Sequence, residues 1–142
     1  MSYKQIIITV CTALMVSPLF AKVPTIDLSQ INGNWHLRIM DGMEVRKARA
    51  ILDFDSDKMR LSGFDACNRI SGVLKVNNDT NISSRLISTK MACRGKIQSY
   101  VSQRLHETIN EGFSISKAKR NGVEGITLKS PTHELFFGKM GK

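Results

Sequence analysis

Hydrophobic and polar residues alternate along most of this chain in short runs that predict β-strands. The clearest run is 34–40, where Trp35, Leu37 and Ile39 would share one face. Asp41-Gly42 follows as a hairpin turn, and residues 43–47 would form a short return strand. The same pattern predicts further strands over 50–54, 59–63, 69–76, 81–90, 113–118, 123–129 and 133–138.

One stretch has helical periodicity instead. Between residues 96 and 111, apolar side chains recur every three or four positions, and Gly112 is placed to end the helix with a left-handed cap. His106 points away from the apolar side, so we expect it to be solvated. Arg104 is expected to lie along that side. The apolar side consists of Ile97, Tyr100, Val101, Leu105, Thr108 and Ile109.

This order of elements predicts an α+β fold with about 7–8 antiparallel strands and one helix over about 96–111. A lone helix cannot cover both faces of such a sheet. The sheet must therefore curl strongly into an open, barrel-like form to bury its inner face. A closed barrel of the lipocalin type is the structural alternative.

The N-terminus has the features of a secretory signal peptide. Lys4 precedes a mostly apolar run over 5–16, and Ser17-Pro18 then breaks the helix before a cleavage site after Ala21. A single domain over 22–142 would remain, in the periplasm or the medium and without a transmembrane anchor. The alternatives are a retained N-terminal anchor and a lipoprotein centred on Cys11.

The chain is basic, with 21 Lys and Arg against 12 Asp and Glu and a net charge of +9. Cleavage would remove Lys4 alone among the charged residues and leave +8. Such a charge favours an anionic partner, for which we expect an envelope protein, a lipid or lipopolysaccharide rather than nucleic acid. The basic residues are spread over small clusters near 46–49, 90–96 and 117–120, so a solvated basic surface is the simplest interpretation.

Cys67 and Cys93 would be the two cysteines left in an exported chain, and such a pair most simply forms a disulfide. The bond would close a loop of about 27 residues and stabilise the fold by about 3–4 kcal/mol in the chain-entropy model. The alternative is a metal site shared with a histidine, but none of the usual ligand spacings is present. The candidate histidines are His36, His106 and His133.

The segment Leu61-Ser-Gly-Phe-Asp-Ala-Cys-Asn-Arg-Ile-Ser-Gly72 and the segment Thr89-Lys-Met-Ala-Cys93, which a helix follows, resemble the signature of the META domain family. That family includes a bacterial heat-shock protein. The resemblance covers roughly 28–138, and it implies a strongly curved antiparallel sheet with one helix. It implies no defined reaction. We call 61–72 and 89–93 the signature segments.

Within the signature segments, the resemblance marks four positions as structural and one as a departure from the family. Gly63 and Gly72 suit a bulge, a bend or a close approach of two backbones. Asn68 is expected to hydrogen-bond a turn backbone or to take a left-handed conformation, and Thr89 belongs to the second segment. Ala66 replaces a common family glycine, so a positive φ there would strain it. A ligand-contacting loop is the alternative.

No arrangement of residues indicates catalysis. The histidines are far apart in the sequence, and no phosphate-binding or dinucleotide-binding motif is present. Asp53-x-Asp55-x-Asp57 lacks the glycine and the glutamate of a calcium loop, which leaves a solvated turn or weak cation binding. We therefore assign no catalytic, cofactor-binding or metal-binding residue. An enzyme would need a pocket in which a histidine meets a carboxylate or a hydroxyl.

Two neighbouring aromatic residues give a hint of an interaction patch. Phe136 and Phe137 must point to opposite faces of their strand. One of them is left for solvent, a neighbour, the helix or a partner. Trp35, by contrast, is expected to pack in the core.

The sequence thus predicts an exported, non-enzymatic META domain protein of the bacterial envelope that acts in stress tolerance or binding and is a monomer. One alternative is a carrier of a small apolar or lipid ligand, which would need an apolar cavity between sheet and helix. Another is an inhibitor or partner-binding module, which would need an exposed patch at Phe136 or Phe137.

Overall fold

A computed structural model describes residues 27–140 of the 142-residue chain, so the predicted signal peptide lies outside the described residues. The fold is α+β, as predicted, with one helix packed on a strongly curled antiparallel sheet. The helix α1 is Lys96–Glu111, and two short 3-10 helices are Leu28–Ile31 and Arg46–Ala48. The strands are β1 Gly33–Met40, β2 Met43–Glu44, β3 Ile51–Asp55, β4 Arg60–Phe64, β5 Arg69–Asn78, β6 Asn81–Ser84, β7 Ile87–Ser88, β8 Ser114–Arg120, β9 Val123–Lys129 and β10 Glu134–Lys139.

The sheet curls until its two edges meet at one point. Its strand order is β6-β5-β4-β3-β1-β10-β9-β8, while β2 pairs with β1 and β7 pairs with β5. At the edges, Ile82 of β6 and Phe113, just before β8, exchange two backbone hydrogen bonds of 2.9 and 2.8 Å. Within the described residues, one isolated bridge and no continuous strand pairing joins the two edges. The sheet is therefore a half-barrel, and the closed lipocalin-like alternative is wrong.

The predicted strand over 81–90 is in fact two short strands, β6 and β7, which pair with different parts of β5. The break falls at Arg85, opposite Gly72. A side chain at Gly72 would meet the Ser84 hydroxyl and the carbonyl oxygen of Arg85. The absence of that side chain lets the kinked chain pack directly against β5, as the close-approach interpretation of Gly72 predicts.

A β-bulge changes which residues of β1 face the core. Trp35 and Leu37 are buried as predicted, but the register shifts between Leu37 and Ile39. As a result Met40 is fully buried and Ile39 is only half-buried. The assignment of Ile39 to the inner face is therefore wrong, because the extra residue of a bulge reverses the alternation beyond it.

Helix α1 covers the concave face of the sheet, and its bounds match the prediction. Val101, Leu105 and Ile109 are fully buried against sheet residues that include Leu52 and Phe137. Burying each such side chain stabilises the fold by roughly 1.5–3 kcal/mol, so the helix contributes substantially to stability.

Gly112 ends the helix differently from the prediction. Its φ of 103° is positive, and its N–H donates to the carbonyl of Thr108. Its ψ of 142°, however, is far from the left-handed helical region, so the predicted left-handed cap is wrong. The chain leaves the helix in an extended direction and reaches the bridge at Phe113 one residue later.

Phe136 and Phe137 are both buried, at 1% and 0% exposure, so neither ring forms an exposed aromatic patch. Phe137 belongs to the core under the helix. Phe136 lies on the outer face, where the guanidinium of Arg120 is 5.5 Å from the centre of its ring. Arg120, the last residue of β8, reaches over the ring because its stem is apolar and its charged head is attracted to the ring face.

His133 joins three parts of the fold. Its Nδ1 lies 2.7 Å from a carboxylate oxygen of Asp41 in the β1–β2 turn, and its Nε2 lies 2.9 Å from a carboxylate oxygen of Glu107 in α1. Burial alone would lower the pKa of His133. The hydrogen bonds to Glu107 and Asp41 outweigh that effect and raise the pKa above its ordinary value of 6.5.

We predict that His133 stabilises the fold most in mildly acidic solution. Because its pKa is raised by folding, its contribution is complete below about pH 6.5 and is lost as pH rises through the folded pKa. The difference in free energy of unfolding between the wild type and His133→Gln should therefore shrink from pH 6 to pH 8, as measured by urea denaturation at several pH values. His36 is a control with the opposite trend, because burial lowers its pKa. A constant difference for His133→Gln across this range would contradict the prediction.

Candidate functional site

A buried carboxylate organises the first signature segment. Asp65, between β4 and β5, is 1% exposed, and one of its oxygens accepts the backbone N–H groups of Cys67 at 2.7 Å and Asn68 at 2.6 Å. The N–H of Asp65 donates to the carbonyl of Asn68 at 2.9 Å. These bonds define a tight turn of the Asx type, and this turn places Cys67 and Asn68 side by side.

The same carboxylate holds helix α1. The Nε2 of His106 lies 2.6 Å from the second oxygen of Asp65, so the prediction that His106 is solvated is wrong. The polar side of the helix meets the signature turn rather than open solvent. Burial tends to raise the pKa of Asp65, but hydrogen bonds from His106, from two backbone N–H groups and from Ser102 outweigh it and lower that pKa.

This pair does not have the layout of a catalytic triad. In a triad, the histidine lies between a nucleophilic hydroxyl and a carboxylate, so that it can take the proton of the hydroxyl. Here His106 bonds Asp65, and the side-chain hydrogen bonds of residues 27–140 include none between this imidazole and a hydroxyl. The contact therefore fastens the helix to the sheet.

Asn68 and Thr89 join the two signature segments to each other. The Asn68 amide oxygen accepts the Thr89 hydroxyl at 2.9 Å and the N–H of Met91, while its NH₂ group donates to the carbonyl of Met91 at 3.1 Å. The Thr89 hydroxyl accepts the N–H of Arg69 at 3.2 Å. Asn68 thus bonds the backbone, as predicted, and it does so without a left-handed conformation.

The disulfide lies at the same junction. Cys67 and Cys93 are bonded, with their Cα atoms 4.7 Å apart, which is within the range that such a bond requires. Cys93 lies shortly before the first residue of α1, at Lys96. The bond and the Asp65–His106 contact therefore anchor the start and the middle of the helix to one loop of the sheet.

Replacing both cysteines by Ser should lower the free energy of unfolding by about 2–5 kcal/mol under oxidising conditions, because the unfolded chain regains the freedom that the bond removes. Thermal denaturation with and without reductant measures this. The melting temperature of the wild type should fall on reduction, and that of the variant should be lower but insensitive to reductant. Full reaction of the native wild type with thiol reagents would contradict the disulfide.

Two unusual backbone positions flank the junction. Gly63 has a φ of 149°, and a methyl group there would overlap the carbonyl oxygen of Ile51 on β3. This is the close backbone approach that its place in the motif predicts. Ala66 has a φ of 89°, a conformation that L-residues avoid. The turn therefore requires the positive φ at which alanine is strained.

Ala66→Gly should raise the free energy of unfolding by roughly 0.5–1 kcal/mol, because relief of the backbone strain exceeds the entropy that a glycine adds to the unfolded chain. Ala48→Gly is a matched control, since Ala48 is also buried and lies in a 3-10 helix without a positive φ. That variant should be less stable than the wild type. Chemical denaturation of both variants tests the difference, and equal destabilisation by both would refute the strain.

A basic cleft opens beside the junction. It has a volume of about 750 Å³, and its walls include Ala66, Cys67 and the exposed Met91. Four exposed cations line it: Lys47, Arg49, Arg69 and Arg94. Within residues 27–140, no carboxylate lines this cleft, and none of the four cations takes part in an ion pair within 4.0 Å. We use "basic cleft" for this set of residues.

A second cleft continues from the basic cleft across the outer face of the sheet. It has a volume of about 760 Å³ and shares Phe64, Arg69 and Thr89 with its neighbour. Ile87 lines this second cleft and is 74% exposed. Cationic and apolar surface therefore adjoin along the second signature segment.

The described residues offer no group of three or more His, Cys, Asp or Glu side chains placed to hold a metal ion. Between residues 27 and 140, no helix is long and apolar enough to cross a membrane. The basic cleft combines several exposed charges, open volume and residues of both signature segments.

The family model described as META domain matches residues 27–140. The chain belongs to the META domain family. Among solved structures, one NMR structure of a protein is 22% identical, covers 80% of this chain and 95% of its own, and superimposes with a TM-score of 0.63. An NMR structure of a protein from Burkholderia xenovorans is 19% identical, with coverages of 93% and 100% and a TM-score of 0.60. At these identities the likeness shows the fold alone. None of the curated proteins matches the chain.

The META domain signature is thus a structural junction with a cleft beside it. The structure brings together the predicted Asn68, Thr89 and the two cysteines, while Gly63 and Gly72 shape the adjoining sheet. Phe136 and Phe137 lie elsewhere. Sequence reasoning missed the roles of Asp65 and His106. The role of Asp65 could have been suspected from its place just before a turn, because an Asp side chain often accepts the backbone N–H groups two or three residues later.

Proposed function

We propose that this META domain protein is an exported, non-enzymatic binding factor of the bacterial envelope, and that it holds an anionic partner in the basic cleft. One observation carries the proposal: four exposed cations converge on this cleft without a carboxylate among them. Uncompensated charge of one sign, focused in a concave surface, attracts ligands of the opposite sign. A role in stress tolerance follows from the family's heat-shock member.

Export is supported by the signal-like residues 1–21. The disulfide between Cys67 and Cys93 is compatible with an oxidising compartment, in which such bonds persist. The bond also holds Cys67, which is part of the wall of the basic cleft, in place.

A binding role is favoured over catalysis because the reactive side chains near the cleft serve the fold. Asp65 and His106 bond each other, and Thr89 bonds Asn68. The remaining groups that line the cleft are the four cations, Gln98 and small or apolar side chains. Such groups recognise a ligand by charge and shape.

The two alternative functions have less support. Side chains fill the space between sheet and helix, with Leu52, Leu105 and Ile109 fully buried there, which disfavours a carrier with an internal apolar ligand. An inhibitor that uses an exposed Phe136 or Phe137 is disfavoured because both rings are covered.

N-terminal sequencing of the protein from the periplasm and the medium tests export, and we expect cleavage near Ala21. The processed protein is then immobilised and exposed to envelope extract, and the bound anionic component is eluted with salt. Arg69→Gln/Arg94→Gln should abolish retention, whereas Lys117→Gln/Lys119→Gln removes the same charge from β8 and should not. Retention of Met1 in a cytoplasmic protein would refute export. Equal loss of the envelope component from both variants would refute the basic cleft as its binding site.

A further inference from the structure

The second signature segment continues into an exposed strip that mixes apolar and basic side chains. In the strip 87–94, Ile87 is 74% exposed and Met91 is 63% exposed. They are the two most exposed of the large hydrophobic side chains within residues 27–140. Lys90 and Arg94 of the same strip are also exposed. Ile87 and Met91 are four residues apart on this strip, and Lys90 and Arg94 lie beside or near Met91 in the chain, so exposed apolar and basic side chains alternate along it. Exposed apolar surface rimmed by polar residues is typical of an interaction site.

The backbone of this strip is held in place. Ile87 pairs with Ser71 on β5, Asn68 bonds the backbone of Met91, and Cys93 is cross-linked to Cys67. Its exposed side chains therefore project from a preorganised surface, and little ordering entropy remains to be lost when that surface binds.

The cations beside the strip suit phosphate groups. Three of the four cations of the basic cleft are arginines, whose planar guanidinium groups bind phosphate oxygens through two parallel hydrogen bonds. Thr89 and Arg69 line both clefts, so the basic cleft adjoins the surface that carries Ile87; Asp53 lines the second cleft as well.

The combination of charge and exposed apolar surface selects among anionic partners. A free phosphate compound would leave Ile87 and Met91 in water, as would the backbone of a nucleic acid. A membrane with anionic headgroups offers phosphates to the cations and the boundary of its acyl chains to the apolar side chains. That pairing accounts for both halves of the surface.

We propose that the basic cleft and the strip 87–94 form a docking surface for phosphate headgroups of an anionic lipid bilayer. Lys47, Arg49, Arg69 and Arg94 bind the headgroup phosphates, and Ile87 and Met91 enter the interface. This inference rests on the proposed binding function and specifies its ligand.

Sedimentation of the processed protein with lipid vesicles tests the docking surface. The vesicles contain equal parts of phosphatidylglycerol and phosphatidylcholine, or phosphatidylcholine alone, in about 0.1 M salt. We expect binding to the anionic vesicles only, and it should weaken as salt rises because exposed charges are screened over about 8–10 Å. Arg69→Gln/Arg94→Gln should weaken binding by roughly thirtyfold, which corresponds to about 2 kcal/mol.

Apolar variants separate docking from simple charge attraction. Ile87→Ser/Met91→Ser keeps every charge and should weaken binding at least tenfold. Val76→Ser is the apolar control, since Val76 is 54% exposed at the far end of β5, and Lys117→Gln/Lys119→Gln is the charge control. Both controls should bind like the wild type. Melting temperatures of all variants establish that they are folded.

Several results would overturn the docking surface. One is wild-type binding by the Ile87→Ser/Met91→Ser variant, and another is equal weakening by the charge control. A third is binding of inorganic pyrophosphate, detected by NMR shifts at the basic cleft, without any binding to vesicles, which would identify a free phosphate ligand. If vesicles fail but the basic cleft still captures an envelope component, the lipid ligand is refuted and the proposed function stands.

Discussion

The structure depends on a mismatch of size, because a single 16-residue helix has to cover the inner face of a ten-stranded sheet. Only strong curvature reconciles the two. The curl brings the edges together at Ile82 and Phe113, and it brings backbones close at Gly63 and Gly72. Once the sheet is curled, the position of the helix determines how much of the core is sealed from water. The contacts that fix the helix are therefore as important as the apolar layer beneath it.

The META signature supplies those contacts. Asp65 gathers two backbone N–H groups and His106 around one buried charge, and Cys67–Cys93 adds a covalent link beside it. A buried carboxylate is costly unless it is well hydrogen-bonded, so the bonds of this turn are what keep Asp65 charged inside the fold. The strained φ of Ala66 shows that the surrounding bonds impose the turn on a residue that disfavours it. A rigid junction of this kind also gives the basic cleft a fixed wall.

Elements with a strong local pattern could be predicted from the sequence. The helix was recovered because its apolar positions recur at helical spacing, and Leu52 and Phe54 were placed inward because their strand alternates cleanly. The failures share a non-local cause. The partner of His106 is 41 residues away, and Phe136 on β10 is covered by Arg120 of β8, two strands away in the sheet. The basic cleft could not be predicted because its cations come from three separate segments that only the curl brings together.

The strand order has a consequence for the way in which this chain acquires its structure. The last strand, β10, lies between β1 and β9 in the interior of the sheet. One edge of β1 is therefore unpaired along much of its length until the C-terminal residues have been synthesised. Contacts between such distant segments close slowly, and an open strand edge invites pairing with other chains. Until β10 is in place, the N-terminal strands keep an unpaired edge and are prone to aggregate.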